Sequence, residues 1–103
     1  MELSTLRSLI RDIQDYPSPG ILFRDITPLL RDGQALSSVA ELMSAKDPKA
    51  DLIAGIEARG FFFAAAIGVQ SKRGVIPIRK KGKLPHEVHR QEYGLEYLSL
   101  IHI

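Results

Sequence analysis

The sequence predicts an α/β fold built on parallel strands, and three observations carry that reading. The almost unbroken apolar run Asp51-Leu52-Ile53-Ala54-Gly55-Ile56 has the length and character of a strand covered on both faces. After the polar turn Glu57-Ala58-Arg59-Gly60, the stretch from Phe61 to Ser71 reads as a helix that is apolar on nearly every side. Gly74-Val75-Ile76-Pro77-Ile78 reads as a second strand. Strand, helix and strand within about thirty residues form the crossover unit of a parallel sheet.

The elements follow in order. From Glu2 to Gln14, Leu3, Leu6, Ile10 and Ile13 recur at helical spacing and predict an amphipathic helix. Tyr16-Pro17-Ser18-Pro19-Gly20 ends it, because two prolines and a glycine cannot continue a helix. Ile21 to Ile26 is a short apolar stretch interrupted by the charged pair Arg24-Asp25. Thr27-Pro28 starts Leu29-Leu30-Arg31, Asp32-Gly33 makes a turn, and Gln34 to Ser44 returns to helical spacing. Asp47-Pro48-Lys49 is a loop. Lys72-Arg73 suits the negative end of the 61–71 helix, and Gly74 suits a left-handed cap. Pro77 argues for an edge position or an irregular ladder. Two strands make a poor sheet, and the 61–71 helix has more apolar surface than they can cover. Either a partner covers it or part of the domain is absent.

Composition bounds the function. At 103 residues, 45% hydrophobic and 25% charged, the chain is globular and has room for one ordinary domain. It has no cysteine, which excludes a disulfide framework, a thiolate metal site and a thiol nucleophile. The longest apolar stretch, Gly60 to Val69, is too short to span a bilayer, and the N-terminus has no basic region ahead of an apolar one. A cytoplasmic protein with no membrane partner is expected. Six basic residues and no acid lie between Lys72 and Lys83, while the rest of the chain carries eight basic and twelve acidic residues. Positive charge concentrated in one segment points to a local anion site rather than a nucleic-acid surface.

Four stretches could carry chemistry. The turn at residues 55–60 lies where a strand hands over to a helix, whose free amides and Arg59 would suit a phosphate; an ordinary turn with a surface Arg–Glu pair explains it equally. Arg79-Lys80-Lys81-Gly82-Lys83-Leu84-Pro85, past the second strand, would neutralise a diphosphate, or is a solvated basic loop. Pro19 to Asp25 could offer backbone groups to a flat heterocycle, or pack on the core with Arg24-Asp25 as a surface pair. Tyr93-Gly94-Leu95-Glu96-Tyr97 places a carboxylate among aromatics, where it could exchange protons with a base, or is simply exposed. His86, His89 and His102 show no metal-ligand spacing and read as loop or terminal residues.

In this order the four stretches resemble the adenine phosphoribosyltransferases, of the type I phosphoribosyltransferase family. Tyr16 to Pro28 resembles the family's N-terminal signature, and Ile53 to Phe61 its diphosphate loop. Ile78 to Pro85 and Glu92 to Tyr97 resemble the start and end of its flexible active-site loop. The resemblance implies the N-terminal portion of a parallel sheet flanked by helices, with a flexible hairpin-like lid. It also implies transfer of a 5-phosphoribosyl group from phosphoribosyl diphosphate to adenine, with Mg²⁺ bound alongside that substrate rather than in a dedicated protein site. A homodimer is implied at full length. Leu22, Phe23 and Arg24 would contact adenine, the first and last through their backbone. Glu57, Ala58 and Arg59 would form the diphosphate loop, with a non-proline cis peptide. Arg79, Lys80 and Lys83 would contact diphosphate, and contact across a dimer interface stays open. Glu96 would manage the proton of adenine, supported by Tyr97.

The resemblance runs from Leu3 to Tyr97 and breaks at Leu98, where a glycine is expected. The family's acidic-pair loop for the 5′-phosphate has no match. Residues 1–97 are therefore read as a partial domain and residues 98–103 as a non-native tail outside the fold. Such a fragment is expected to be inactive. The alternative is a non-catalytic domain of the same fold that senses a purine or phosphoribosyl diphosphate.

Overall fold

A computed structural model of the chain describes residues 1–80 and the backbone of residues 90–92 and 100–102. The chain divides into two compact units, Met1–Met43 and Ser44–Ile103.

The first unit runs α1 (Leu3–Ser8), β1 (Arg11–Ile13), β2 (Phe23–Asp25), α2 (Thr27–Arg31) and α3 (Gly33–Ser44). The helix expected over residues 2–14 stops at Ser8, where the amides of Leu9 and Ile10 bond back to Leu6 and Arg7 in a tightened last turn. Residues 11–13 instead pair antiparallel with 23–25, in the register Arg11↔Asp25, Asp12↔Arg24 and Ile13↔Phe23. A short helix gains little from each added residue, so a ladder lined with opposite charges wins the competition. Asp32 both ends α2 and starts α3. Its amide bonds the Leu29 carbonyl, and its Oδ1 accepts from the Gln34 and Ala35 amides at 3.1 Å each. Leu6, Leu29, Ala35 and Ala40 are the buried apolar side chains of this unit.

The second unit holds β3 (Leu52–Ile56), α4 (Arg59–Ser71), β4 (Gly74–Lys80), β5 (Arg90–Glu92) and β6 (Leu100–His102). As predicted, β3 and β4 are parallel, from Leu52↔Gly74 to Ile56↔Ile78, and α4 crosses between them. The sheet order is β3-β4-β6-β5, with the two later strands antiparallel to their neighbours. Residues 100–102, read from the sequence as part of a tail, thus supply the backbone of β6. Pro77 costs the β3–β4 ladder nothing. The Ile78 carbonyl accepts from the Glu57 amide, so residues 76 and 78 turn their backbone groups toward β3 and Pro77 turns away.

Close packing fixes α4 on β3. A Cβ built on Gly55 would lie 2.7 Å from both the Ala64 Cβ and the Gly60 carbonyl oxygen, so only glycine fits there. Ala64, Ile67 and Gly68 face inward. The other face of β3, with Leu52, Ala54 and Ile56, is exposed, which corrects the expectation of a strand covered on both sides. Among the described residues α4 packs on one face only. The expected left-handed cap also moves: it is Lys72, at φ 57°, and the Arg73 amide closes the turn on the Gly68 carbonyl at 2.9 Å. The Arg73 guanidinium donates to the Asp47 and Ala50 carbonyls and to the Ser44 and Ser71 hydroxyls, pinning the 44–50 loop to the end of α4. Gly74 opens β4, and its lack of a side chain makes room for Leu52.

Candidate active site

In the second unit the turn after β3 and the end of β4 emerge at the same sheet edge, because parallel neighbours end on the same side. Glu57 joins them. Its amide donates to the Ile78 carbonyl at 2.9 Å, and its Oε1 accepts from Arg79 Nε and from the Lys80 amide, each at 3.1 Å. The Glu57 side chain is only 13% exposed and that of Arg79 34%, so the pair is partly withdrawn from water. The Arg79 guanidinium carbon also lies 5.9 Å from the centroid of the Phe61 ring, within cation–π reach. The structure therefore brings Glu57, Arg79 and Lys80 together and threads Ala58 and Arg59 between β3 and α4.

The Glu57–Ala58 peptide is cis, as the resemblance implies. Ala58 and Arg59 are exposed, and α4 begins at Arg59 with no side chain capping its first amides. Lys80 is exposed too. Backbone donors with Arg59 and Lys80 nearby give this edge the chemistry of an anion site.

Leu22, Phe23 and Arg24 lie in the first unit, where the loop preceding β2 is held by its own backbone. The Gly20 amide donates to Asp15 Oδ1 at 2.9 Å and the Tyr16 amide to the Ile21 carbonyl at 3.1 Å. Asp15 and Gly20 both adopt positive φ, 56° and 88°. The Tyr16 and Phe23 rings meet edge to face, with centroids 5.1 Å apart. Leu22 is 39% exposed. The expected Arg24-Asp25 surface pair does not form as such. Arg24 reaches Asp12 at 3.6 Å, while Asp25 takes Arg11.

Asp25 is the most heavily bonded carboxylate of this unit. Arg11 donates to its Oδ2 from both Nε and Nη2, and Oδ1 accepts from the Thr27 amide at 3.0 Å and the Thr27 hydroxyl at 2.8 Å. The Arg11 hydrogen bonds above all, then those of Thr27, hold the Asp25 pKa down to about 2. Sequence reasoning missed Arg11, Asp12 and Thr27. The signal was there: Arg11-Asp12 and Arg24-Asp25 are the same dipeptide, and two copies run antiparallel place each arginine opposite an aspartate.

Lys83, Glu96 and Tyr97, with most of the expected lid, lie outside the described residues, as do His86 and His89. Among the described residues, no group of three or more His, Cys, Asp or Glu could hold a metal ion, and no helix is long and apolar enough to cross a membrane. An open depression lined by Leu9, Pro28, Arg31, Asp32 and Gly33 contains none of the expected site residues.

No family model matches the chain. Curated relatives do. Over 95 residues, 90% of the chain, it is 59% identical to an adenine phosphoribosyltransferase of Chelativorans sp., covering 52% of that protein. Among solved structures, the adenine phosphoribosyltransferase of Thermoanaerobacter pseudethanolicus superposes with a TM-score of 0.88 at 39% identity, over 99% of this chain and 60% of that one. The Saccharomyces cerevisiae enzyme, solved with adenine and an imino-altritol bisphosphate, gives 0.82 at 34% identity, over 97% and 61%. The chain spans about half the length of the curated relatives it matches. Identity near one half along nine-tenths of the chain, on a shared fold, makes it similar to the adenine phosphoribosyltransferases over about half of their length.

Proposed function

We propose that the chain carries the purine- and diphosphate-handling part of an adenine phosphoribosyltransferase, a purine-salvage enzyme. That activity moves the 5-phosphoribosyl group from phosphoribosyl diphosphate to adenine: a ring nitrogen of adenine bonds to the ribosyl carbon, diphosphate leaves, the nitrogen loses its proton, and AMP results. The observation that carries the reading is Glu57, whose carboxylate ties the turn at 57–59 to Arg79 and Lys80 at one sheet edge. Here Ala58 and Arg59 meet the diphosphate through backbone and guanidinium donors, and Arg79, Lys80 and Lys83 neutralise the charge that grows on it as it leaves. The backbone of Leu22 and Arg24 reads the edge of adenine beside Phe23, Glu96 holds the proton of its imidazole half, and Tyr97 supports Glu96.

When bound, Mg²⁺ would neutralise charge on the diphosphate, entering with that substrate rather than in a dedicated protein site. A cytoplasmic homodimer at full length, with no nucleic-acid or membrane partner, belongs to the same reading. The yeast relative solved with adenine supports the purine assignment. Binding of a purine or phosphoribosyl diphosphate without turnover, a sensing role on the same fold, is the second reading.

Titration of the purified 103-residue chain tests both. Binding of adenine in preference to hypoxanthine is expected, and equal binding of the two overturns the adenine assignment. No AMP is expected from adenine and phosphoribosyl diphosphate; turnover would overturn the inactivity and dismiss the sensor.

A further inference from the structure

We propose that Arg11 and Asp25 are positioning residues for the purine: their ion pair, with the bonds from Asp25 to Thr27, holds the β1–β2 hairpin in the register that presents the backbone of Leu22 and Arg24. The inference rests on the reading of residues 22–24 as the purine-contacting segment, but the clamp itself rests on geometry.

β1 and β2 pair over three residues each, too few for backbone bonds alone to fix a register. A slip of one residue would turn Phe23 and Arg24 to opposite faces and move every backbone group the purine is to read. Of the two ion pairs across the hairpin, Arg24–Asp12 is weak: 3.6 Å apart, with side chains 62% and 55% exposed. Arg11–Asp25 is different in kind. Asp25 is 13% exposed, takes two donors of one guanidinium on Oδ2, and spends Oδ1 on the amide and hydroxyl of Thr27. One carboxylate thereby fastens β2 to β1 on one side and to the first residue of α2 on the other. α2 carries the buried Leu29, so the strand is referenced to the apolar core of its unit. None of these groups needs to touch a ligand. Their effect reaches the purine through residues 22–24.

The 103-residue chain and its R11Q, D25N, R11K and R11Q/D25N variants test the clamp, with adenine binding by calorimetry and hydrogen exchange at the amides of residues 22–25. R11Q and D25N are each expected to weaken adenine binding about tenfold, as loss of a charge-assisted bond implies. The double variant should be no weaker than the worse single, because both remove one device. Exchange at 22–25 should quicken while the amides of α3 keep their protection, a split that general unfolding would not give. R11K keeps the charge and should recover most of the affinity. Unchanged exchange at 22–25 in R11Q, or parental adenine affinity in both single variants, overturns the proposal. If D25N fails to fold, R11Q decides, since it leaves the Thr27 bonds in place. Should the parent not bind adenine at all, the purine reading fails, and exchange in R11Q alone upholds or overturns the clamp.

Discussion

The segments at 22–25 and 57–60 would do similar work, each offering backbone groups to a ligand, and they are secured by opposite means. The first is held by charge: Asp25 gathers Arg11 and Thr27 around a hairpin that is otherwise minimal. The second is held by absence: Gly55 lets strand and helix approach until no Cβ would fit on it, and Glu57 adds its bonds on top. Packing of that kind does not respond to pH or salt and yields only when it is broken outright. A carboxylate clamp is graded, because protonation weakens it without moving an atom. The 22–25 segment is therefore the tunable half of this pair and the 57–60 turn the rigid one.

The largest effect should come from breaking the rigid half. Gly55→Ala places a methyl 2.7 Å from the Ala64 Cβ and from the Gly60 carbonyl oxygen, neither of which is the loose end of a flexible side chain. Overpacking of this sort costs about 1–3 kcal/mol, and urea unfolding should show a loss toward the upper end of that range. Adding Ala64→Gly sharpens the test. It removes the side-chain clash and leaves the carbonyl, so the double variant should recover only part of the loss. Full recovery would mean that the turn at Gly60 can give way, and the contrast with the 22–25 segment would fall.

The second effect is a titration. Asp25 has a pKa of about 2 in the folded chain against an ordinary 3.8, the Arg11 hydrogen bonds being the largest cause and those of Thr27 the next. A depressed folded value means that the ionised carboxylate favours the fold. Its contribution is complete above about pH 4 and disappears as the pH falls through about 2. NMR titration of the Asp25 carboxyl should find this value, and R11Q should raise it toward 3.8. The stability gap between parent and D25N should close over the same window. An Asp25 that titrates near 3.8 in the parent would show that the pair is ornamental.

How far the sequence foretold this contrast differs between the two regions. Strand, turn, helix and strand from Leu52 to Ile78 were legible, since an apolar run flanked by polar turns fixes both type and position. The edge shared by residues 57–59 and 79–80 followed from parallel pairing alone. What stayed hidden depended on register. Leu3, Leu6, Ile10 and Ile13 keep helical spacing whether or not the helix continues, and nothing local says that Ile13 will lie opposite Phe23. Arg24-Asp25 reads as a neighbouring pair until the hairpin is known, and then each partner proves to sit across the strand. Lys72 took the left-handed position that a glycine two residues on would suit, because Arg73 is held by four acceptors that fix where the helix must end. Glu57 was named from its motif, but its role as the link to Arg79 and Lys80 is a matter of distance.

The smallest effect on stability should come from the outer face of α4, which takes part in neither lock. Phe62 and Val69, two turns apart on one face, are 54% and 83% exposed, whereas Ala64 and Ile67 on the inner face are buried. Removing exposed apolar groups gives up little burial, so F62S/V69K should shift the unfolding free energy by no more than about 0.5 kcal/mol. Association is another matter. Apolar side chains clustered on one face, with Leu52, Ile56 and Val75 exposed on the sheet, drive contact between copies even when each copy is stable alone. Sedimentation velocity at rising concentration should show the parent self-associating and the double variant staying smaller. If the two sediment alike, the stickiness of this chain lies in the sheet rather than in the helix, and the same experiment on Leu52→Lys would then locate it.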